Sequence, residues 1–241
     1  MTITVITSFN DRYYTTIGKD CVDTWLKFWP EKTELICYVE EFSMPITDSR
    51  VSEISFDQLP REYFQFQNDP TLDSRVKIFA KKAYSIIHAL ENISSDRIMW
   101  LDADVITTKK LPLDIIESLC PNDTLLAYMR VWHHIDKHDI NSQKVPSAES
   151  GVFVVNTKHP EFENFRKRYR QYYDERITDG LRRFYDGEVL GAVAKEFETR
   201  CKIIDLCAGL KKEYKSPLRH LLIGQFLIHY KAKHSKDEYG K

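Results

Sequence analysis

The 241-residue chain lacks the features that would place it in several large functional classes. No stretch approaches the roughly 18 consecutive apolar residues that cross a bilayer, so no transmembrane segment is expected. The N-terminal MTITVITSFNDRYY has neither the basic start nor the longer apolar run of a signal peptide, which makes the cytoplasm the expected location. Action at a membrane surface on a lipid-linked acceptor stays open. Cysteine is sparse and unpaired in pattern: Cys21, Cys37, Cys120, Cys201 and Cys207 are odd in number and widely spaced. They form no C-x-x-C and no zinc-ligand spacing, and buried free thiols in a reducing compartment are the simplest reading. Net charge is also missing, since 35 basic residues face 36 acidic ones for a formal −1. No global field favours nucleic acid or an anionic membrane, so neither is expected as a partner. There is no internal repeat and no low-complexity linker.

What is present is an ordinary globular composition, 42% hydrophobic and 29% charged, for a chain that should fold as one domain over 1–241. The first 100 residues alternate β-branched apolar runs with amphipathic ones, which predicts an α/β fold with a mainly parallel sheet flanked by helices. Strands are expected at 2–9, 34–40, 50–56 and over the apolar run preceding Asp102. Helices are expected at 20–29, stopped by Pro30, and at 73–90, capped by Asp73. The stretch from 57 through Pro70 reads as irregular. Beyond lie a short helix entered at Pro112 and strands at 124–131, 151–156 and 202–206, with helices at 160–175 and 186–197. An apolar segment then ends at His229 before a basic tail.

One constellation carries chemistry. In RIMWLDADV, the apolar run Ile98-Met99-Trp100-Leu101 reads as a buried strand, and two carboxylates directly after it are costly unless a cation compensates. Residues i and i+2 at a strand end face one side, so Asp102 and Asp104 can address one hard cation, Mn²⁺ or Mg²⁺, across the small Ala103. In parallel α/β sheets, ligands bind beyond the carboxyl ends of the strands. Taken alone, the pair reads equally well as a turn cap or as an ion-pair partner for a lysine such as Lys109.

RIMWLDADV with the following ITTKKLP resembles the D-x-D strand and exit of the GT-A-fold glycosyltransferases. Three further segments are similar to that family in the expected order: ESGVFVVNTKHPEF (149–162), FYDGEVLGAV (184–193) and IHYKAKHSK (228–236), the last with Ala232 where the family often has glycine. The resemblance implies a Rossmann-like GT-A sheet with a nucleotide-binding half over 1–110 and a mixed acceptor-side half with a metal-binding tail over 111–241. It implies a nucleoside-diphosphate sugar as donor, most commonly UDP-linked, and a glycan, lipid-linked or protein acceptor. Asp102, Asp104 and His229 become the metal ligands.

The residues themselves are compatible with these roles. Imidazole is an acceptable third ligand for Mn²⁺, although a lone histidine after an apolar strand also reads as a core residue. Lys231 and Lys236, with Lys233 and His234, form a cationic loop suited to a diphosphate, or a solvated tail. Thr7, Ser8 and Asn10 close the first strand, where GT-A enzymes meet the nucleobase, and Tyr13 or Tyr14 could stack on it. A turn capped by Asn10 or Asp11 is the plain alternative. Lys82, on the helix before the D-x-D strand, matches the family's phosphate- or sugar-contacting base, and Ala103 is counted with the aspartates among the donor-contacting residues. An inverting transfer needs a carboxylate base, for which Asp186, Glu188 and Glu149 are candidates. Asp186 also reads as a helix N-cap with Glu188 in the first turn.

Three other functions compete. WLDADVIT is similar to the D-x-D-x-[TV] strand of haloacid-dehalogenase-type phosphatases, but no later G-D-x-x-x-D segment follows it. Nucleotidyltransferases of GT-A-like topology usually have a Gly-rich loop after the first strand, where this chain has TSFNDRYY. A non-catalytic nucleotide-binding module is the third.

Overall fold

The computed structural model describes residues 1–131, 147–210 and 216–230. The β-branched run at the N-terminus forms β1 (Ile3–Asn10), followed by a single helical turn, α1 (Asp11–Tyr13), and a π-helical turn over Tyr14–Gly18 that continues into α2 (Lys19–Phe28). Then come β2 (Thr33–Glu40), β3 (Val51–Ser55), α3 (Arg61–Asn68), α4 (Ser74–Asn92), β4 (Arg97–Leu101) and β5 (Val105–Thr107). The second half supplies α5 (Leu113–Leu119), β6 (Thr124–Val131), β7 (Ser147–Asn156), α6 (Phe162–Asp174), α7 (Asp186–Phe197), β8 (Lys202–Asp205) and β9 (Leu227–His229).

Seven strands form one sheet in the order β3-β2-β1-β4-β7-β6-β8. The half built from β3, β2, β1 and β4 is parallel, whereas β7 runs antiparallel to both β4 and β6, and β8 is parallel to β6. This is the expected mainly parallel sheet with a mixed C-terminal part. Because helices cover both faces, alternate residues of a strand enter two separate cores. Ile6, Ile98 and Trp100 pack with α4, α6 and α7 on one side. Ile3, Val5, Met99 and Leu101 pack with Cys21, Val22 and Trp25 of α2 on the other. β4 is buried along its whole length. Its charged first residue, Arg97, is satisfied there by the carbonyls of Cys120 (2.9 Å) and Asp96 (2.8 Å) and the side chains of Asn156 (2.5 Å) and Asn122 (2.8 Å).

The expected helix at 73–90 is α4, and Asp73 caps it, accepting from the Arg75 N–H at 2.8 Å. The irregular reading through Pro70 is corrected by α3. Its sequence, REYFQFQN, is short and polar, but Tyr63 and Phe66, three residues apart, pack edge-on against Tyr84 of α4. That tertiary contact, absent from local propensity, holds the helix. The apolar segment expected to end at His229 is a 3₁₀ turn (Ile223–Gln225) leading into the short β9.

Two features of the topology build the site. β5 and β9 form a separate antiparallel ribbon in which Val105 lies opposite His229, bringing the C-terminal histidine to the turn that follows β4. β7 is irregular where it faces β6: pairing runs from Tyr128 with Phe153 directly to Met129 with Glu149. The bulge turns Ser150 and Gly151 out of the β6 ladder and toward the end of β4, where the Asp102 N–H donates to the Gly151 carbonyl at 2.8 Å. Among the described residues, no helix is long and apolar enough to cross a membrane. All five cysteines are free thiols.

Candidate metal and donor site

β4 ends at Leu101, and the chain makes a tight turn closed by the Val105 N–H donating to the Asp102 carbonyl (2.9 Å). The Tyr230 N–H donates to the Asp104 carbonyl (2.9 Å), locking β9 onto this turn. Ligand atoms of Asp102, Asp104 and His229 then all fall within 4.8 Å of one another. His229 Nε2 lies 3.1 Å from Asp104 Oδ1 and 3.7 Å from Asp102 Oδ2. On the ring's other side, Nδ1 is 3.6 Å from Glu149 Oε1.

An octahedral cation with oxygen or nitrogen ligands at about 2.1 Å sets neighbouring ligand atoms about 3 Å apart. The His229–Asp104 separation matches that edge, and two carboxylates with one imidazole suit Mn²⁺ or Mg²⁺. The residues therefore fit the ion. Burial works against the His229 imidazolium, yet the hydrogen bond and charge of Asp104, with Asp102 and Glu149, outweigh it and raise its pKa. Burial also pushes the Asp102 carboxyl up, with Lys82 opposing, whereas at Asp104 the bond to His229 prevails over burial and pulls the carboxyl down. The two acids are driven apart by their surroundings, a signature of functional sites.

Gly151 is required by this arrangement. A Cβ there would stand 2.6 Å from His229 Cε1, 2.8 Å from Nδ1 and 3.3 Å from Asp102 Oδ2. The neighbours of that Cβ are two of the candidate metal ligands. Gly187 has a parallel role, since a Cβ would meet the Ala148 carbonyl at 2.4 Å and lift the first turn of α7 off β7.

Lys82 is the cation at the centre. Its Nζ donates to Asp102 Oδ1 (2.7 Å), the Ser150 carbonyl (2.8 Å) and Ser150 Oγ (3.1 Å), pairs with Asp186 Oδ2 (3.1 Å), and lies 4.9 Å from the Trp100 ring centroid. Burial opposes its charge, but Asp102 and Asp186 more than compensate and hold its pKa up. The ion-pair reading is realised at Asp102, with Lys82 as partner; Lys109 instead lies over the Phe226 ring.

The three candidate acids separate by environment. Asp186 is buried at the start of α7, accepting from Ser150 Oγ at 2.5 Å as well as pairing with Lys82. Glu149 faces His229. Glu188 accepts from the Arg183 N–H at 2.6 Å and so ties the preceding loop to α7. All three line a cleft of about 180 Å³ flanked by Phe79 and Tyr185, whose ring centroids are 4.5 Å apart.

The residues expected at the nucleobase are dispersed. Thr7 is fully buried on the α2 face of β1, and its hydroxyl has no hydrogen-bond partner among the described residues. Ser8 is partly exposed. Asn10 is exposed and caps α1, accepting from the Tyr13 N–H at 2.8 Å. Tyr13 is half-buried with its phenol directed at the aspartates; burial, then the charges of Asp104 and Asp102, push its pKa up. Ala103 packs into the core beside α2. Lys231 and Lys236 lie outside the described residues. Two residues were not singled out from sequence. Ser150 bridges Lys82 and Asp186, and Trp100 donates its indole N–H to Asp102 Oδ1 at 2.6 Å.

A D-x-D turn thus closes a central parallel strand, flanked by the antiparallel β7 and by His229. No protein-family model and no curated protein matches the chain. Solved structures do. The apo form of mouse xyloside xylosyltransferase 1 is similar with a TM-score of 0.61 at 11% identity, over 98% of this chain and 99% of that one. The bifunctional glycosyltransferase WbbM gives 0.56 at 13%, over 97% of this chain and 46% of that one. Glycosyltransferase GlyE of Streptococcus pneumoniae TIGR4 gives 0.56 at 11%, over 97% and 55%. The chain spans about half the length of WbbM and GlyE. At these identities the likeness establishes the fold alone: the chain has the GT-A fold of these glycosyltransferases.

Proposed function

We propose that this chain is a metal-dependent glycosyltransferase that moves a sugar from a nucleoside-diphosphate sugar, with UDP the expected carrier, to a hydroxyl of a glycan, lipid-linked or protein acceptor. The observation that carries this reading is the convergence of Asp102, Asp104 and His229 on one point, with the buried cation Lys82 directly behind them. Bound there, Mn²⁺ or Mg²⁺ would neutralise the departing diphosphate and so make a poor leaving group acceptable.

The chain's own groups supply the rest. Lys82 holds a fixed positive charge in a site largely screened from water, where preorganised charge acts most strongly. Asp186 and Ser150 keep its ammonium in place. Glu149 faces His229 Nδ1 and orients the ring, the usual task of a carboxylate behind a metal-bound histidine. Glu149 and Asp186 line the Phe79–Tyr185 cleft and are the acids suited to receive an acceptor hydroxyl, whereas Glu188 shapes the cleft through its hold on Arg183. Lys231 and Lys236 would complete the diphosphate side, and Tyr13 the base side.

Mixing the protein with a panel of nucleotide sugars and Mn²⁺ tests the proposal. Release of a nucleoside diphosphate from at least one donor, stopped by chelation, is expected. Metal-dependent nucleotide binding without release from any donor would identify a binding module instead, and pyrophosphate-linked chemistry would identify a nucleotidyltransferase.

A further inference from the structure

Trp100 and Asp102 stand two residues apart on the side of β4 that α4 covers, so their side chains are neighbours. The indole N–H reaches Asp102 Oδ1 at 2.6 Å, and Lys82 Nζ reaches the same oxygen at 2.7 Å while lying over the indole ring. Two donors use both lone pairs of that oxygen. Oδ2 is the oxygen turned toward His229 Nε2, 3.7 Å away.

We infer that Trp100 is a positioning residue for the cation site, holding the Asp102 carboxylate so that Oδ2 alone is offered to the metal. This rests on the metal-site reading above. An unrestrained carboxylate can rotate about its terminal bond and chelate through both oxygens or turn away. Here rotation would break two short, part-buried bonds. Asp102, Asp104 and His229 would then contribute one atom each to a bound cation, with places left for oxygens of the donor and water. An indole suits the task because it is a donor only and cannot itself ligate a cation. Trp100 is 2% exposed, so the packing around the ring fixes the position of its N–H.

A purely structural role for Trp100 is separated from this one by a matched control. Trp29 is also buried and donates its indole N–H to Thr107 Oγ1 at 2.8 Å, away from the ligands. Mn²⁺ affinity, read from the electron paramagnetic resonance signal of the free ion, should weaken about tenfold in Trp100→Phe, the lower end of the usual effect of an outer-sphere partner. In Trp29→Phe it should stay within about twofold, although both variants lose one buried indole hydrogen bond. Unchanged affinity in Trp100→Phe, or equal weakening in both, overturns the inference. A wild-type protein that takes up no Mn²⁺ overturns the metal reading and this inference together. Should Trp100→Phe fail to fold, wild-type protein labelled with ¹⁵N-tryptophan carries the test under Mg²⁺ titration. One indole N–H resonance should follow the binding curve and persist in Trp25→Phe, Trp29→Phe and Trp132→Phe; the absence of any responding resonance refutes the assignment.

Discussion

Replacing Gly151 by alanine probes the site without touching a ligand. The new methyl would sit 2.6 Å from His229 Cε1, so the ring must retreat about 0.8 Å to reach ordinary contact at 3.4 Å. It cannot do so freely, because β9 is paired with β5 at Val105 and the next residue is bonded to the Asp104 carbonyl. Metal sites tolerate about 0.2 Å in ligand distance, so a displacement of this size removes His229 from the coordination shell. Losing one of three protein ligands should weaken Mn²⁺ binding on the order of 100-fold, or about 2.8 kcal/mol. Overpacking should cost a further 1–3 kcal/mol, roughly, of folding stability. Titration with Mn²⁺ reads the first quantity and denaturant unfolding of the metal-free protein the second. A Gly151→Ala variant that folds and binds Mn²⁺ as tightly as the wild type would refute the claim that His229 is a ligand.

Further outcomes follow from the surrounding groups. Lys82→Ala leaves Asp102 and Asp186 without their shared cation, and because that side chain is largely buried the loss should reach roughly 3–5 kcal/mol in denaturant unfolding. A change below 1 kcal/mol, approximately, would show that the pair is satisfied in some other way. Thr7→Val removes a buried hydroxyl that has no partner among the described residues. It should stabilise the protein by about 1 kcal/mol, raising the melting temperature by roughly 2–4 °C, and leave nucleotide affinity unaltered. Weaker nucleotide binding in that variant would restore Thr7 to the donor site.

β1, β2 and β4 were legible in the sequence because each is an apolar run buried along most of its length, whereas β3, with no buried residue, rests on the β-branched Val51 and Ile54 alone. α3 was hidden, because its Tyr63 and Phe66 are held by Tyr84 rather than by local propensity. The antiparallel direction of β7 was equally hidden, since GVFVVN would read the same in either orientation. Asp102, Asp104 and His229 were visible as residue types in a family-like order, and the β5–β9 ribbon explains how positions so far apart in the chain meet. Ser150 was passed over because its role depends on the β7 bulge, of which Gly151 is the only local sign. Trp100 was taken as core, which it is, but strand alternation already placed it beside Asp102. Asn10, legible both as a base contact and as a turn cap, caps α1.

If Asp102, Asp104 and His229 hold a divalent cation, as proposed, that cation couples nucleotide binding to this fold. The most direct test is UDP affinity measured calorimetrically with and without Mn²⁺ in the wild type and in Asp104→Asn. Mn²⁺ should strengthen UDP binding by at least about tenfold in the wild type, and this gain should disappear in Asp104→Asn while the variant remains folded. The same Mn²⁺-dependent gain in both proteins would contradict the proposal.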